Sequence, residues 1–280
     1  MTTIGFWGLG RMGRPIAGHL VGAGHRVIGV DPSPEARDSA SAVGVEIVDD
    51  LSRLQCGVVF TSLPDSPQVE EVYLGGLFDR IETGALCLDL STIDVEISRR
   101  IAGEARRHGH HFLDCPLSGT SVHAEAGTVA VMVGGEKEAA ERARPYLDVF
   151  SSGVHHLGPN GAGLEMKLIT NRLLTAHLVS IAESILEMED AGLDTSRCIE
   201  LLRQGAVPKL LDYKAEPMAV RDHKPLFTVD LMAKDLRLAD ARRPAGRVAG
   251  VAAAVLIEAL EAGWGPSDIS AVIEMLGESG

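Results

Sequence analysis

Residues 3–13 read TIGFWGLGRMG, an apolar run closed by three glycines at positions 8, 10 and 13. The apolar run indicates a buried strand, and the residues that follow, up to Gly24, have the amphipathic pattern of a helix. In such a unit the glycines permit a tight turn, a close approach of the backbone to a pyrophosphate, and close packing of the helix on the strand. The amino terminus of the helix also faces the negative charge. The stretch therefore predicts a dinucleotide site formed by Gly8, Leu9, Gly10, Arg11, Met12 and Gly13.

An acidic residue at the end of the next predicted strand indicates which dinucleotide is bound. The strand Arg26–Val30 is followed by Asp31, 18 residues after Gly13. A carboxylate in this place accepts hydrogen bonds from the adenosine ribose hydroxyls and repels a 2′-phosphate. Pro32 follows, so no adjacent arginine binds that phosphate, although Arg37 is a few residues away. The sequence predicts NAD as the cofactor and leaves NADP possible.

Two patterns divide the chain. Up to about residue 160, short apolar runs alternate with helical patterns and predict strands buried on both faces of a parallel sheet. The predicted strands are Thr3–Trp7, Arg26–Val30, Val45–Val48, Val58–Leu63, Leu86–Leu90, Phe112–Asp114, Val129–Val133 and Val154–Leu157. From Gly161 onward the pattern is helical, and glycines and prolines separate the elements. The predicted helices are Ala162–Asp190, Thr195–Gln204, Thr228–Arg242, Gly246–Ala262 and Ser267–Leu276, with separators at Gly205, Pro208, Pro217, Pro225, Pro244 and Gly263.

These patterns predict an α/β fold with two domains. The first, residues 1–160, is expected to be a Rossmann-type, doubly wound dinucleotide-binding domain. The second, residues 161–280, is expected to be an all-helical domain for substrate binding and oligomerisation. The long helix over residues 162–190 joins them.

Composition excludes several classes of partner. The chain has 39 acidic and 26 basic residues, a formal charge of -13, which repels nucleic acid and anionic membrane surfaces. The four cysteines, Cys56, Cys87, Cys115 and Cys198, show no C-x-x-C spacing and are expected to be buried, reduced thiols. The ten histidines do not have the spacing of a metal site, so no metal is expected. The sequence enters its first strand without a signal-like segment, which favours the cytoplasm.

Four segments resemble the signatures of the β-hydroxyacid dehydrogenase family, in that family's order. They are Gly8–Ala17, Asp114–Thr128, Gly158–Asn171 and Lys234-Asp235-Leu236. The resemblance covers residues 5 to about 240 and implies a hydride transfer between a nicotinamide and a small 3-hydroxy acid or its semialdehyde, of the 3-hydroxyisobutyrate type. Two departures bear on the substrate. Arg172 stands where a second asparagine is common, and residues 120–123, TSVH, replace a stretch that is often rich in glycine and alanine.

The resemblance also implies roles for individual residues. Leu63 and Pro64 are expected to border the cofactor, with Gln68 nearby, Thr92 against the nicotinamide half and Lys234 also in contact. An alternative for Lys234 is a local charge pair with Asp235. Ser118, Gly119 and Thr120 are expected to cradle the substrate carboxylate, because hydroxyls and unobstructed backbone N–H groups suit an anion. His123 lies in the same loop and is expected to influence specificity.

Lys167 is the predicted general acid and base. Oxidation of an alcohol needs a group that takes the hydroxyl proton, and the reverse reaction needs one that supplies it. The lysine lies one turn into the long helix among Leu164, Met166, Leu168 and Ile169, so desolvation is expected to lower its pKa toward working pH. Asn171, one helical turn later on the same face, is expected to hydrogen-bond the same substrate hydroxyl.

Two alternative functions remain open from the sequence. Imine reductases share the expected architecture, although Lys167 argues against C=N reduction. A cofactor-binding module without catalysis is expected to lack the lysine and to carry basic tails, and this chain has the lysine and no such tails. The apolar helices after residue 161 favour a homodimer or homotetramer.

Overall fold

The apolar runs of the amino-terminal half form one nine-stranded sheet in the computed structural model, which describes residues 1–49, 55–204 and 211–277. The strands are β1 (Thr3–Trp7), β2 (Arg26–Val30), β3 (Glu46–Ile47), β4 (Val58–Thr61), β5 (Leu86–Asp89), β6 (His111–Asp114), β7 (Leu117–Ser118), β8 (Val129–Gly134) and β9 (Ser151–Gly158). β1 and β2 have the predicted bounds, and the other predicted strands differ at their ends. β7, of two residues, was missed because its apolar run is too short to predict a strand.

The order of the sheet is β3-β2-β1-β4-β5-β6-β8-β7, and β9 pairs with β8. The pairs from β3 to β6 are parallel. β8 runs antiparallel to both β6 and β7, so the prediction of a wholly parallel sheet is wrong at this edge. The reason is that the chain reverses direction through residues 119–128 and returns along β8 beside β7. The α/β fold class is confirmed.

Six α-helices accompany these strands within residues 1–49 and 55–158. They are α1 (Gly13–Gly22), α2 (Pro34–Ser41), α3 (Ser66–Leu74), α4 (Val95–Arg107), α5 (Ser121–Glu125) and α6 (Lys137–Leu147). The core contains fully buried aromatic and aliphatic side chains, with the Phe6 and Phe60 rings stacked at 5.6 Å. Because parallel strands are aligned, the loops after β1, β2, β4, β5 and β6 all lie at one edge of the sheet.

The carboxyl-terminal part is helical, as predicted. The α-helices among its described residues are α7 (Ala162–Asp190), α8 (Thr195–Gln204), α9 (Leu211–Ala219), α10 (Val229–Arg242), α11 (Arg247–Ala259) and α12 (Val272–Gly277). α7 and α8 have the predicted bounds. The interpretation of Pro217 as a separator is wrong, since this proline lies inside α9, near its end, where its missing N–H removes a single helical bond. Gly205 and Pro208 lie outside the described residues.

The chain divides into two compact units, Met1–Lys167 and Leu168–Gly280. The division falls within α7, six residues after the start of that helix. The predicted boundary between residues 160 and 161 stays a prediction. Within the described ranges, no helix combines the length and the apolar composition that crossing a membrane requires.

The core of the second unit contains a buried ion pair. Lys214 Nζ lies 2.5 Å from Asp268 Oδ1, and both side chains are 3% exposed. Asp268 Oδ2 also accepts the backbone N–H groups of Leu226 and Phe227. Burial alone would raise the pKa of Asp268, but the Lys214 ammonium and hydrogen bonds from the backbone N–H groups of Ser270 and Phe227 hold it below its usual value. The pair fixes α9 against the turn that precedes α12.

Candidate active site

The glycine loop between β1 and α1 has the geometry that its sequence predicts. Gly8 has φ +89°, and a Cβ there would overlap the carbonyl oxygen of Ser62. A Cβ at Gly13 would overlap the carbonyl oxygen of Gly8. These two glycines are therefore needed by the fold itself.

Gly10 is different, because a Cβ there would meet no atom of the chain within 4 Å. The residue is exposed, as is the neighbouring Arg11. Internal packing gives no reason for a glycine at this position, whereas close approach by a pyrophosphate does. The loop therefore fits the phosphate groups of a dinucleotide.

Asp31 is held in a fixed orientation at the end of β2. Its Oδ2 accepts the backbone N–H of Leu9 at 2.7 Å, and its Oδ1 accepts that of Ser33 at 2.8 Å. Each oxygen keeps a further lone pair for a ribose hydroxyl. Arg37, the residue considered for a 2′-phosphate, forms an ion pair with Asp49 at 2.5 Å.

The loops after β4 and β5 are joined by a buried carboxylate. Asp89 Oδ1 accepts the Thr61 hydroxyl at 2.7 Å and the backbone N–H of Ser91 at 3.1 Å. Ser91 Oγ in turn accepts the backbone N–H of Leu63 at 2.9 Å. Leu63 also lies against Gly8, since a Cβ at Gly8 would be 3.0 Å from Leu63 Cδ2. The network thus holds the loop with Leu63 and the loop that continues to Thr92.

Burial raises the pKa of Asp89 to about 6, although hydrogen bonds from Ser91 and Thr61 act in the opposite direction. No described residue donates a hydrogen bond to Asp89 Oδ2. Sequence analysis gave this aspartate no role, because its partners come from neighbouring strands. Of the other predicted cofactor residues in this region, Thr92 is half-buried, and Pro64 and Gln68 are exposed.

The predicted substrate loop follows β6. Ser118 belongs to β7 and pairs with Ala130 of β8, Gly119 has φ +138°, and Thr120 precedes α5. The Thr120 backbone N–H donates to His123 Nδ1 at 3.1 Å, and the Thr120 hydroxyl lies 3.1 Å from the same nitrogen. The expectation of unobstructed N–H groups is therefore wrong for Thr120. Its N–H is engaged by His123, which orders the loop.

Asp114, the last residue of β6, anchors the start of α7. Its Oδ1 accepts the backbone N–H of Gly161 at 2.7 Å, and its Oδ2 accepts that of Leu164 at 3.1 Å. A carboxylate at this end of a helix satisfies N–H groups that have no partner within the helix and complements the helix dipole. Burial raises the pKa of Asp114, and the backbone hydrogen bonds oppose that rise.

Two glycines make this close approach possible. A Cβ at Gly134 would lie 2.6 Å from both carboxylate oxygens of Asp114, and a Cβ at Gly163 would lie 2.5 Å from the Met132 carbonyl oxygen. Gly163, the last residue of the sequence GPNGAG at the start of α7, therefore has a packing function. Asp114 begins the segment Asp114–Thr128 that resembles the family signature, but its partners, 47 and 50 residues away, could not be predicted from the sequence.

Lys167 is half-buried on the first turns of α7. Leu164 and Leu168 beside it are buried, but Met166 is 41% exposed and Ile169 is 59% exposed. The segment is therefore less desolvated than its composition suggested. The expected fall in the lysine pKa stays a prediction.

The remaining predicted residues lie in the second unit. Asn171 is buried, and its Nδ2 donates to Asp235 Oδ2 at 2.6 Å. Lys234 Nζ lies 3.1 Å from Asp235 Oδ1, so the charge pair that was the alternative for this lysine is present. Arg172, a departure from the family pattern, pairs with Asp240 of α10 at 2.6 Å. Asp235 is thus a further residue that sequence analysis did not assign to the site.

A metal centre was not expected. Across residues 1–49, 55–204 and 211–277, no group of three or more His, Cys, Asp or Glu side chains is arranged to hold an ion. His123, His19 and His223 instead hydrogen-bond to neighbouring backbone or side-chain groups.

Comparison with known proteins identifies the family to which the chain belongs. A family model described as the NAD binding domain of 6-phosphogluconate dehydrogenase matches residues 3–158. A second, described as NAD-binding of NADP-dependent 3-hydroxyisobutyrate dehydrogenase, matches residues 161–276. The chain is 37% identical over 292 residues to a probable 3-hydroxyisobutyrate dehydrogenase of Mycobacterium tuberculosis, covering 99% of this chain and 98% of that protein. The chain belongs to the β-hydroxyacid dehydrogenase family.

One further relative and one solved structure carry informative names. An NAD-dependent L-serine dehydrogenase of Pseudomonas aeruginosa is 37% identical over 251 residues, covering 85% of this chain and 84% of that one. The solved structure of Mycobacterium tuberculosis 3-hydroxyisobutyrate dehydrogenase with L-serine has a TM-score of 0.88 at 34% identity and covers 99% of both chains. This β-hydroxyacid dehydrogenase is accordingly an NAD(P)-dependent oxidoreductase, and the predicted family and cofactor class are confirmed.

Proposed function

We propose that this enzyme interconverts a small 3-hydroxy acid and its carbonyl form with NAD, and that Lys167 is its general acid and base. The observation that carries the proposal is the anchoring of α7 by Asp114. The carboxylate of Asp114 holds the helix that bears Lys167, and the residues immediately after Asp114 form the predicted substrate loop. When bound, the nicotinamide accepts or supplies the hydride.

The residues of the chain account for binding and proton transfer. The Lys167 amine takes the proton of the substrate hydroxyl during oxidation, and its ammonium returns a proton to the carbonyl oxygen during reduction. Asn171, oriented by Asp235, is the partner that we propose for the same oxygen. The carboxylate of the substrate is bound by Ser118, Gly119 and the Thr120 hydroxyl, while His123 influences which side chain fits. Gly8–Gly13, Asp31, Leu63, Pro64, Gln68, Thr92 and Lys234 are the proposed cofactor residues.

The assay is a panel of 3-hydroxy acids that includes 3-hydroxyisobutyrate and L-serine, each with NAD and with NADP. Reduction of the cofactor is followed by its absorbance. We expect turnover with at least one of these acids, with the relatives above favouring these two substrates. If every acid fails with both cofactors, the proposal is wrong.

Substitution of Lys167 tests the proton-transfer role. Lys167→Met should lower kcat by at least ~100-fold, the usual contribution of general acid–base catalysis. Binding of NADH, measured by fluorescence, should remain unchanged. Lys137→Met, on the exposed surface of α6, is the matched control and should keep wild-type turnover. Full activity of Lys167→Met would remove this lysine from the mechanism.

The preference for NAD rests on the fixed orientation of Asp31. Because both of its oxygens accept backbone N–H groups, the carboxylate does not turn away without breaking two hydrogen bonds. We expect a higher kcat/KM with NAD than with NADP, and Asp31→Ser should reduce that ratio at least ~10-fold. An equal or higher kcat/KM with NADP for the wild type would contradict this preference.

Reduction of a C=N bond is not favoured, since the relatives named above are dehydrogenases of hydroxy acids or of serine. A module without catalysis is not favoured for the same reason. An imine panel run beside the hydroxy acids measures the first alternative directly.

We also infer self-association into a dimer or tetramer. Val248 and Val251 lie on one face of α11 and are 75% and 68% exposed, an apolar surface that favours burial against another subunit. Light scattering on the eluting protein gives the subunit number, and a monomer at micromolar concentration would refute the inference.

We propose a cytoplasmic location, because free cysteine thiols are typical of a reducing compartment. Cys56, Cys87 and Cys115 are free and buried, and Cys198 is free and half-buried. Burial raises the pKa of Cys56 to about 11, so this thiol is unreactive. Fractionation of cells with the enzyme assay as the marker tests the location.

A further inference from the structure

A histidine on the helix after the glycine loop is bonded to the helix after the substrate loop. His19 Nε2, on α1, lies 3.0 Å from the carbonyl oxygen of Ala124 and 3.1 Å from that of Glu125. Carbonyl oxygens only accept, so Nε2 carries the proton and donates to both. These carbonyls belong to the last residues of α5.

α5 depends on such external bonds. A helix of five residues is far below the length that is stable alone. Its carboxyl end is bonded by His19, and Glu125 forms an ion pair with Arg14 of α1. Its amino end is closed by the bond from the Thr120 N–H to His123 Nδ1.

The glycine that follows α5 fits the same contact. Gly127 has φ +66°, and a Cβ there would lie 3.3 Å from His19 Cε1. The imidazole therefore packs against the backbone at the point where the chain leaves α5. At the other end, a Cβ at Gly119 would lie 3.0 Å from His123 Cβ, so α5 also packs against the loop itself.

We propose that His19 is a positioning residue for the substrate loop. Its bonds to α5 fix His123, and His123 fixes Thr120, so that the loop of Ser118, Gly119 and Thr120 is held relative to α1. α1 begins at the glycine loop. The substrate loop is thereby held in a fixed position relative to the helix that is proposed to bind the cofactor phosphates. The inference rests on the proposed function for its effect on the substrate, but the mechanical link is measurable without turnover.

Three substitutions at position 19 separate the hydrogen bond from general packing. His19→Ala removes the donor. His19→Gln places an N–H as many bonds from Cβ as Nε2 is, and His19→Asn places one a bond short of it. His155→Ala, on the exposed strand β9, is the matched histidine control.

Steady-state kinetics with the hydroxy acid, at saturating NAD, give the first readout. We expect His19→Ala to raise KM about fivefold, the factor of one ordinary hydrogen bond, with kcat changed less than about twofold. Binding of NADH should stay within about twofold of the wild type, because α1 keeps its own contacts. His19→Gln should restore KM, and His19→Asn should not.

Amide hydrogen exchange gives the second readout, in the absence of substrate. Amides of residues 120–128 should exchange at least about fivefold faster in His19→Ala, while those of β1 and β4 stay unchanged. Unchanged exchange in this segment, or an unchanged KM, would overturn the proposal. So would equal loss in the Ala and Gln variants, since that result indicates packing alone. A wild-type enzyme without turnover refutes the proposed function, and the exchange data then decide the link between α1 and α5.

Discussion

Replacement of Asp89 by asparagine should change how the stability of the first unit depends on pH. Burial raises the pKa of Asp89 to about 6 in the folded protein, from an ordinary value of 3.8. The folded state therefore binds this proton more tightly than the unfolded state does. As pH rises from 4 through 6, ionisation favours the unfolded state, and the wild-type protein loses stability from this group.

The size of the effect follows from the two pKa values. A difference of about 2 units corresponds to a loss of about 3 kcal/mol above pH 7, with 1.36 kcal/mol for each unit. Between pH 5 and pH 7.5 the loss is about 1.4 kcal/mol, because at pH 5 the Asp89 carboxyl is already mostly ionised in the unfolded state and part of the loss has occurred. Asp89→Asn has no proton to lose, so its free energy of unfolding lacks this decline.

The assay is urea unfolding of both proteins at several values from pH 4.5 to pH 7.5. The chain has two tryptophans, and Trp7 lies in β1. A Trp264→Phe background leaves Trp7 as the reporter of the sheet, which avoids mixing the two units in one transition. The difference between wild type and Asp89→Asn removes every titration that the two proteins share.

A matched variant sets the direction of the effect. Thr61→Val keeps the carboxylate and removes the hydroxyl that donates to it at 2.7 Å. The pKa of Asp89 should rise further in this variant, so the loss of stability with rising pH should be larger than in the wild type. The account of the buried carboxylate predicts that the free energy of unfolding of the wild type, minus that of Asp89→Asn, decreases from pH 4.5 to pH 7.5. If this difference is flat or increases with pH, the account is wrong.

Three further outcomes are expected. Gly13→Ala should unfold at lower temperature than the wild type because its Cβ would overlap the Gly8 carbonyl oxygen, whereas Gly10→Ala should keep its melting temperature and lose at least ~10-fold in NADH affinity. Equal melting temperatures of the two variants would refute this distinction. Lys214→Met should lower the free energy of unfolding by about 3 kcal/mol or more, since it leaves Asp268 charged and buried, and the double variant with Asp268→Asn should recover part of the loss. Asp114→Asn should raise amide exchange at Gly161 and Leu164 and lower kcat, because an amide nitrogen replaces one of the two accepting oxygens.

Local patterns determined how well the fold was predicted. β1, β2, α7 and α8 have their predicted bounds because their periodicity and their closing residues agree. α9 was missed because Pro217 suggested a break, although a proline near the end of a helix costs a single bond. β7 and the antiparallel direction of β8 depend on which strands meet, which no local pattern expresses.

The candidate site shows the same limit. The need for glycine at positions 8 and 13 could be stated from the local pattern, but the contact of Gly8 with the Ser62 carbonyl oxygen could not, because Ser62 lies on another loop. The contacts of His123 could not, because they depend on a turn that brings the ring back to the Thr120 N–H. The exposure of Met166 and Ile169 was also unpredictable, since an apolar sequence does not say which of its faces is covered.

The start of α7 is anchored within the first unit, which bears on the proposed proton transfer. The pattern of strands ends near residue 160, yet the first unit extends to Lys167, six residues into α7. The bonds from Gly161 and Leu164 to the Asp114 carboxylate fasten the first turn of α7 to the end of β6. A rigid helix carries that anchoring forward, because Lys167 is less than one turn beyond Leu164. The proposed proton-transfer residue is therefore held by the same unit that contains the glycine loop and the substrate loop, whereas Asn171, one turn later, is fixed by Asp235 of the second unit. A variant that loosens the start of α7 should consequently impair the proposed proton transfer by Lys167 more than it disturbs the hydrogen bond between Asn171 and Asp235.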